Sequence, residues 1–151
     1  MIMQASINCL NIIEKSEGLR LYPYLCPAKI ATIGFGSTHY ENGIAVTLKD
    51  PSITKDRAIS LMINTLANYV SAVNRMVHVP INQDQFDALV DFAYNAGASA
   101  LQTSTLLRLL NAHDYNGASE EFSKWIHADG KVSQGLVTRR ELERKLFLGI
   151  E

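Results

Sequence analysis

Cysteine is scarce in this chain: only Cys9 and Cys26 occur among 151 residues. Two are too few for a disulfide scaffold, and they lack the spacing of metal ligands. His39, His78, His113 and His127 are scattered without ligand spacing, so neither a metal nor a cofactor is expected. An excess of either charge is also missing. The 14 basic and 15 acidic residues leave a formal net charge of -1, which argues against a nucleic-acid partner. No apolar run approaches the roughly 20 residues that span a bilayer, so stable membrane insertion is not expected. The N-terminal stretch MIMQASINCLNIIEKSEG has neither the basic start nor the clean apolar core of a secretory signal. Asn8, Asn11 and Glu14 interrupt it at helical spacing, as in an amphipathic helix that belongs to the domain. Residence in the cytoplasm until something else releases the protein is the expectation. Repeats, low-complexity tracts and linkers are absent too.

What is present suits one globular core. Hydrophobic residues make up 47% and charged residues 19%, and the length fits a single domain over 1–151. Ile7, Leu10 and Ile13 lie at three-residue spacing on one helical face, with Ile12 nearby and Gly18 as the stop. The segment LRLYPYLCPAKIATIGFGST, rich in β-branched and aromatic residues, predicts strands near 19–26 and 30–36 joined by a turn at Pro27-Ala28-Lys29. A further short strand is expected near 45–48. From Thr54 onward the pattern is helical. Thr54 caps a long helix over 55–76 with Ala58, Leu61, Met62, Leu66, Tyr69, Val70 and Val73 on its buried side. Asn82 and Gln85 form a capping-box pattern for a helix over 83–95, ended by Gly97. Another helix starts at Thr103 or Ser104 and runs through Leu110, one more covers 117–126, and one or two close the chain over 133–148. The layout is α+β: a small hairpin lobe near 14–54, a long helix, and a helical lobe near 76–151 onto which helix 1–13 packs. A cleft is expected between the lobes.

Glu17 is the first chemical anomaly. It sits in the last turn of the expected helix, where the dipole disfavours a carboxylate by roughly 0.3–1 kcal/mol and would tend to raise its pKa. Alone, it reads as an exposed glutamate tolerated at slight cost. Its neighbours change that reading, because Cys26 and Thr32 follow in the pattern E-x8-C-x5-T. If the two strands pair, Cys26 and Thr32 lie close together near the turn, with Glu17 at the base of the preceding helix. Glycoside hydrolysis needs a proton donor at the leaving oxygen and a group that orients water or stabilises positive charge opposite it. An acid, a thiol and a hydroxyl meet that need.

The segment SEGLRLYPYLCPAKIATIGFGST resembles the active-site hairpin of phage-type lysozymes, glycoside hydrolase family 24, whose motif has Glu, then Asp or Cys, then Thr at these spacings. Further blocks extend the resemblance: QFDALVDFAYNAG, STLLRLLNAHD, the single Trp125, and GLVTRRELERKLF. The resemblance implies an endolysin of lysozyme-like fold that hydrolyses the β-1,4 bond between N-acetylmuramic acid and N-acetylglucosamine in peptidoglycan. It implies Glu17 as general acid and Thr32 as the residue that holds water or positions the group that activates it. Cys26 stands where many relatives carry Asp. A thiol with an unperturbed pKa near 8.5 is mostly neutral at pH 7, so Cys26 is a base, a nucleophile or a small spacer.

Arg139 and Arg140 read by themselves as a solvated helix face paired with Glu141 and Glu143. The resemblance implies instead that Arg139 pairs with Glu17 across the cleft. It also implies that Tyr94, Asn95 and Thr105 bind sugar, although Tyr94 alone reads as a core aromatic. Cys9 reads as a core residue, with a disulfide to Cys26 as the alternative. Ser37 departs from the histidine that relatives often carry there, so the hairpin lobe needs a different tether. Release through a separate holin and a monomeric state complete the expectation. The rival readings are a lytic transglycosylase acting on the same bond and a catalytically inactive peptidoglycan-binding module.

Overall fold

The computed structural model describes residues 2–150, which fall into two compact units. One is Ile13–Ala67; the other joins the segment up to Ile12 to the segment from Asn68 onward. The divisions fall inside helix α1 (Ile7–Glu17) and helix α2 (Lys55–Met76). The mixture of helices with small antiparallel sheets is the expected α+β class.

In the smaller unit, β1 (Arg20–Leu25) pairs antiparallel with β2 (Ala31–Gly34). Tyr24 stands opposite Thr32 and Leu25 opposite Ala31, with a bulge between Arg20 and Tyr24. The turn is closed by Cys26 N–H donating to the Ile30 carbonyl at 3.1 Å and Lys29 N–H donating to the Cys26 carbonyl at 2.8 Å. Both strands end slightly inside the expected limits. Gly34, at φ 70°, turns the chain out of β2 sooner than its apolar sequence suggests. The strand expected near 45–48 is not formed; a single bridge, His39 to Ala45, is all the pairing found there. Asp50 explains why. It accepts from Thr47 N–H (2.9 Å), the Thr47 hydroxyl (2.6 Å) and the Tyr40 hydroxyl (2.7 Å), which ties the segment into a turn. These donors, the Thr47 hydroxyl foremost, hold the Asp50 carboxyl below its usual range.

Ile33, Val46 and Leu61 form the buried centre of this unit, with Ala31, Tyr40 and Ile53 packed on it. A Cβ on Gly34 would lie 3.3 Å from the Ala58 Cβ, so the hairpin approaches α2 closely at this point. Ser37 supplies the different tether: its Oγ lies 3.0 Å from Thr65 Oγ1. Thr65 donates its own hydroxyl proton to the Leu61 carbonyl at 2.9 Å, so Ser37 is the donor in this pair. Thr54 caps α2 as expected, accepting from Arg57 N–H at 3.1 Å.

In the larger unit, α3 (Gln83–Ala96) opens with the expected capping box of Asn82 and Gln85. Next come α4 (Ala98–Thr103), α5 (Thr105–Asn111) capped by Ser104, and α6 (Tyr115–Glu121) capped by Asp114. A 3-10 turn over Phe122–Lys124 leads to the two-residue strands β3 (His127–Ala128) and β4 (Lys131–Val132). Helix α7 (Gln134–Leu148) is capped by Ser133 and ended by left-handed Gly149. Phe92 meets Phe122 and Trp125 edge-on, at centroid distances of 5.8 and 5.4 Å, and Phe147 stacks obliquely on Phe122. The buried stripe of α1 is Cys9, Ile12 and Ile13; Ile7, expected to share it, is 60% exposed.

Gly34→Ala combines strain at positive φ with a crowded Cβ. The expected loss is about 1–3 kcal/mol of stability, read as a lower midpoint in thermal unfolding.

Candidate functional site

Glu17 ends α1 and is solvent-exposed, one residue before Gly18 turns the chain at φ 77° into β1. Thr32 stands across from Tyr24 in the strand register, and Cys26 opens the turn one residue beyond β1. Thr32 is 3% exposed and donates its hydroxyl to the Ile30 carbonyl at 2.8 Å. Cys26 is partly exposed, and its thiol is held below the ordinary value by the Ile30 amide first, then the Ala28 amide and the Thr32 hydroxyl, against the opposing effect of burial. The turn therefore wraps donors around the sulfur. Thr32 has a single proton to give, to the Ile30 carbonyl or to the sulfur, and in either case its oxygen keeps a lone pair for a water. Tyr24 records the presence of both acids: burial first, then the charges of Glu17 and Cys26, push its phenol up, while Arg20 pulls it down. The hairpin thus brings Cys26 and Thr32 into contact, with Glu17 within electrostatic reach of the Tyr24 between them.

The remaining expected residues lie in the other unit. A cavity of about 490 Å³ is lined by Asn95, Lys124, Trp125, His127, Leu136 and Arg140. Asn95 accepts from Arg140 Nη2 at 2.6 Å there. Tyr94 instead packs edge-on against Tyr69 at 5.4 Å, and Thr105 is exposed at the start of α5. Trp125 was legible only as a block in the family pattern, yet it supplies the aromatic wall of this cavity.

Beneath the cavity lies a set of charges that sequence patterning read as solvated. Arg139, 4% exposed, grips Asp91 with two bonds, Nε to Oδ2 at 3.0 Å and Nη2 to Oδ1 at 2.7 Å. Arg140 Nε sits 2.8 Å from Glu143 Oε1, and Nη2 donates to Oε2 at 3.1 Å. Its guanidinium also lies over the Phe92 ring at 5.0 Å. Full burial, then a hydrogen bond to Asp91 and the Asp91 charge, push Glu143 well above the usual carboxylate range. Cys9 is fully buried, and its thiol is raised by burial first and then by Asp91 and Asp87. Both cysteines are free, so Cys9 is a neutral core thiol and the alternative disulfide to Cys26 is not formed.

The family model described as phage lysozyme matches residues 14–143, which include the hairpin and both arginines. The chain belongs to the phage lysozyme family. It is 43% identical to an endolysin of Bacillus phage B103 over 97% of its own length and 54% of that protein. To an endolysin of Acyrthosiphon pisum secondary endosymbiont phage 1 it is 40% identical, over 96% of its own length and 98% of that protein. It thus spans about half of the first relative and nearly all of the second. Among solved structures, the endolysin from Escherichia coli O157:H7 phage FAHEc1 superposes with a TM-score of 0.89 at 36% identity, covering 97% of this chain and 94% of that one. The lysozyme-like fold expected from the hairpin motif is therefore the fold of this family member.

Two outcomes follow from these environments. Iodoacetamide applied to the native protein is expected to label Cys26 quickly and Cys9 only after unfolding, as peptide mapping would read. Glu143, raised on folding, contributes stability that is fully present below its unfolded pKa and lost as pH rises through the folded one. Glu143→Gln carries a fixed donor and is expected to flatten that slope in urea unfolding at several pH values, whereas Glu143→Ala removes an acceptor of the buried Arg140 at a cost of about 1–3 kcal/mol.

Proposed function

We propose that this phage lysozyme is an endolysin that hydrolyses the β-1,4 bond between N-acetylmuramic acid and N-acetylglucosamine in bacterial peptidoglycan. The observation that supports the reading most is the Cys26 sulfur, with its lowered pKa, beside the buried Thr32 hydroxyl at the turn of a hairpin that follows directly on Glu17. In this reading Glu17 gives its proton to the leaving glycosidic oxygen. Thr32 and Cys26 accept from the attacking water, whose oxygen bonds to the anomeric carbon as the glycosidic bond breaks. Cys26, as thiolate, takes the water's proton. The turn amides lower the thiol pKa and so raise the thiolate fraction near neutrality, which lets sulfur serve where many relatives carry a carboxylate.

Arg139, whose guanidinium holds Asp91, is the supporting residue in this reading. Tyr94, Asn95 and Thr105 would contact the glycan. Support is strongest for Asn95, which lines a cavity with Trp125 and Arg140, a mixture of ring and polar groups suited to an amphipathic sugar. Among the described residues no helix is long and apolar enough to cross a membrane. We read the protein as a monomer held in the host cytoplasm until a separate holin releases it to the cell wall.

Clearance of outer-membrane-permeabilised Gram-negative cells, followed as turbidity, tests the assignment. Wild type is expected to clear the suspension and Glu17→Gln to do nothing. Cys26→Ser should slow clearance by about 100-fold, the scale of a lost general base, and Cys26→Asp should restore much of it. Full activity in Glu17→Gln would overturn the acid assignment.

A further inference from the structure

The Asn95 amide has two ends of nearly the same shape and opposite hydrogen-bonding character, and Arg140 decides which end goes where. Arg140 Nη2 donates to Asn95 Oδ1 at 2.6 Å. A guanidinium only donates, so the NH2 end of the amide cannot take that place. Arg140 has little freedom to move. It is 2% exposed, its Nε and Nη2 lie 2.8 and 3.1 Å from the two Glu143 oxygens, and its guanidinium carbon lies 5.0 Å from the Phe92 ring centroid. Asn95, near the end of α3, and Arg140, in α7, both line the cavity of about 490 Å³. With Oδ1 held by Arg140, the Nδ2 donor of the half-buried Asn95 has no partner among the described residues and is left for the cavity. The rest of the lining shares this donor character. Lys124, Trp125 and His127 bring an ammonium, an indole N–H and an imidazole, and no acidic side chain among the described residues lines the space. The Lys124 ammonium is paired with Glu121, which leaves it further protons to give.

We propose that Arg140 is a positioning residue that turns the Asn95 amide so that its NH2 meets the ligand, and that the cavity thereby selects an acceptor oxygen of the wall polymer. Two groups of peptidoglycan offer an oxygen that accepts and does not donate: the carbonyl of a sugar acetamido group and the carboxylate of a peptide. A sugar hydroxyl is not selected in this way, since it pairs with either end of an amide. This role rests on the proposed contact of Asn95 with the polymer and specifies which end of the amide makes it. The bond forms as substrate binds and is untouched by the chemistry, so its loss acts on KM and leaves kcat alone.

The decisive variant is Asn95→Asp, which has the same shape, keeps an oxygen for Arg140 and replaces only the remaining NH2 by a second acceptor. Steady-state hydrolysis of solubilised peptidoglycan is compared for wild type, Asn95→Asp, Arg140→Lys and Glu17→Gln. The expected result for Asn95→Asp is a KM higher by about tenfold, the scale of one hydrogen bond, with kcat within about twofold. Thermal unfolding should be no lower than in the wild type. A purely structural amide predicts no change in KM, because the bond to Arg140 is kept. Arg140→Lys keeps the charge and loses the fixed fork, and should move KM in the same direction. The source of the acceptor is read from the Asn95 side-chain amide in heteronuclear NMR spectra of the wild type, titrated with an N-acetylglucosamine oligomer and with muramyl dipeptide. Movement with the oligomer assigns the acetamido carbonyl; movement with the dipeptide alone assigns the carboxylate. An unchanged or lower KM in Asn95→Asp, or an Asn95 amide that neither probe moves, would overturn the role of Arg140 and Asn95. With wild type active and Glu17→Gln inactive, that result leaves the muramidase reading intact. A wild type that does not hydrolyse the polymer would remove that reading, and the NMR titration would still decide the subsite.

Discussion

The register of one short hairpin governs the chemistry proposed for this protein. Strand side chains alternate between faces, so a slip of one residue would take Thr32 from its place opposite Tyr24 and away from the turn that holds Cys26. The turn holds that register in place. Pro27 presets one dihedral, Lys29 accepts a left-handed backbone at φ 62°, and the Cys26 to Ile30 hydrogen bond closes the loop. The N–H of Ile30, the residue whose carbonyl closes that loop, is the leading influence that lowers the Cys26 thiol, so one turn residue bears on both the geometry and the electrostatics. A carboxylate at this position would need less help. A thiol depends on donors nearby, and the turn provides them.

The larger unit solves a different problem, which is how to keep two arginines and two carboxyls almost entirely out of water. Arg139 with Asp91 and Arg140 with Glu143 are each within bonding distance, and Asn95 and the Phe92 face take further contacts of Arg140. Burying such groups costs several kcal/mol per ion before pairing repays it. Glu143 lowers that cost by favouring its protonated form beside Asp91. The network joins α3 to α7, and Arg140 reaches from it to line the cavity beside Asn95 and Trp125.

Much of this was legible in the sequence. Periodicity and capping residues gave the long helix from Lys55 to Met76 and the capping box at Asn82 to within a residue, because both signals are local. The spacing of Glu17, Cys26 and Thr32 pointed to one hairpin face, and the family match covers that segment. Other features escaped for physical reasons. Helix α4 has only six residues and runs into α5 through Ser104 with no breaker between them, too short for a periodic signal of its own. The strands β3 and β4 are two residues each, too short for alternation to register. Charged Arg140 and Glu143 at helical spacing look like a solvated pair until tertiary packing covers them. Ser37 and Thr65 are 28 residues apart, and nothing in either residue type announces the other.

Product analysis of purified peptidoglycan digested by wild type and by Glu17→Gln tests the central claim most directly. The account predicts muropeptides ending in reducing N-acetylmuramic acid from the wild type and no cleavage by the variant. Anhydro ends in the wild-type digest, or reducing ends still produced by Glu17→Gln, would contradict it.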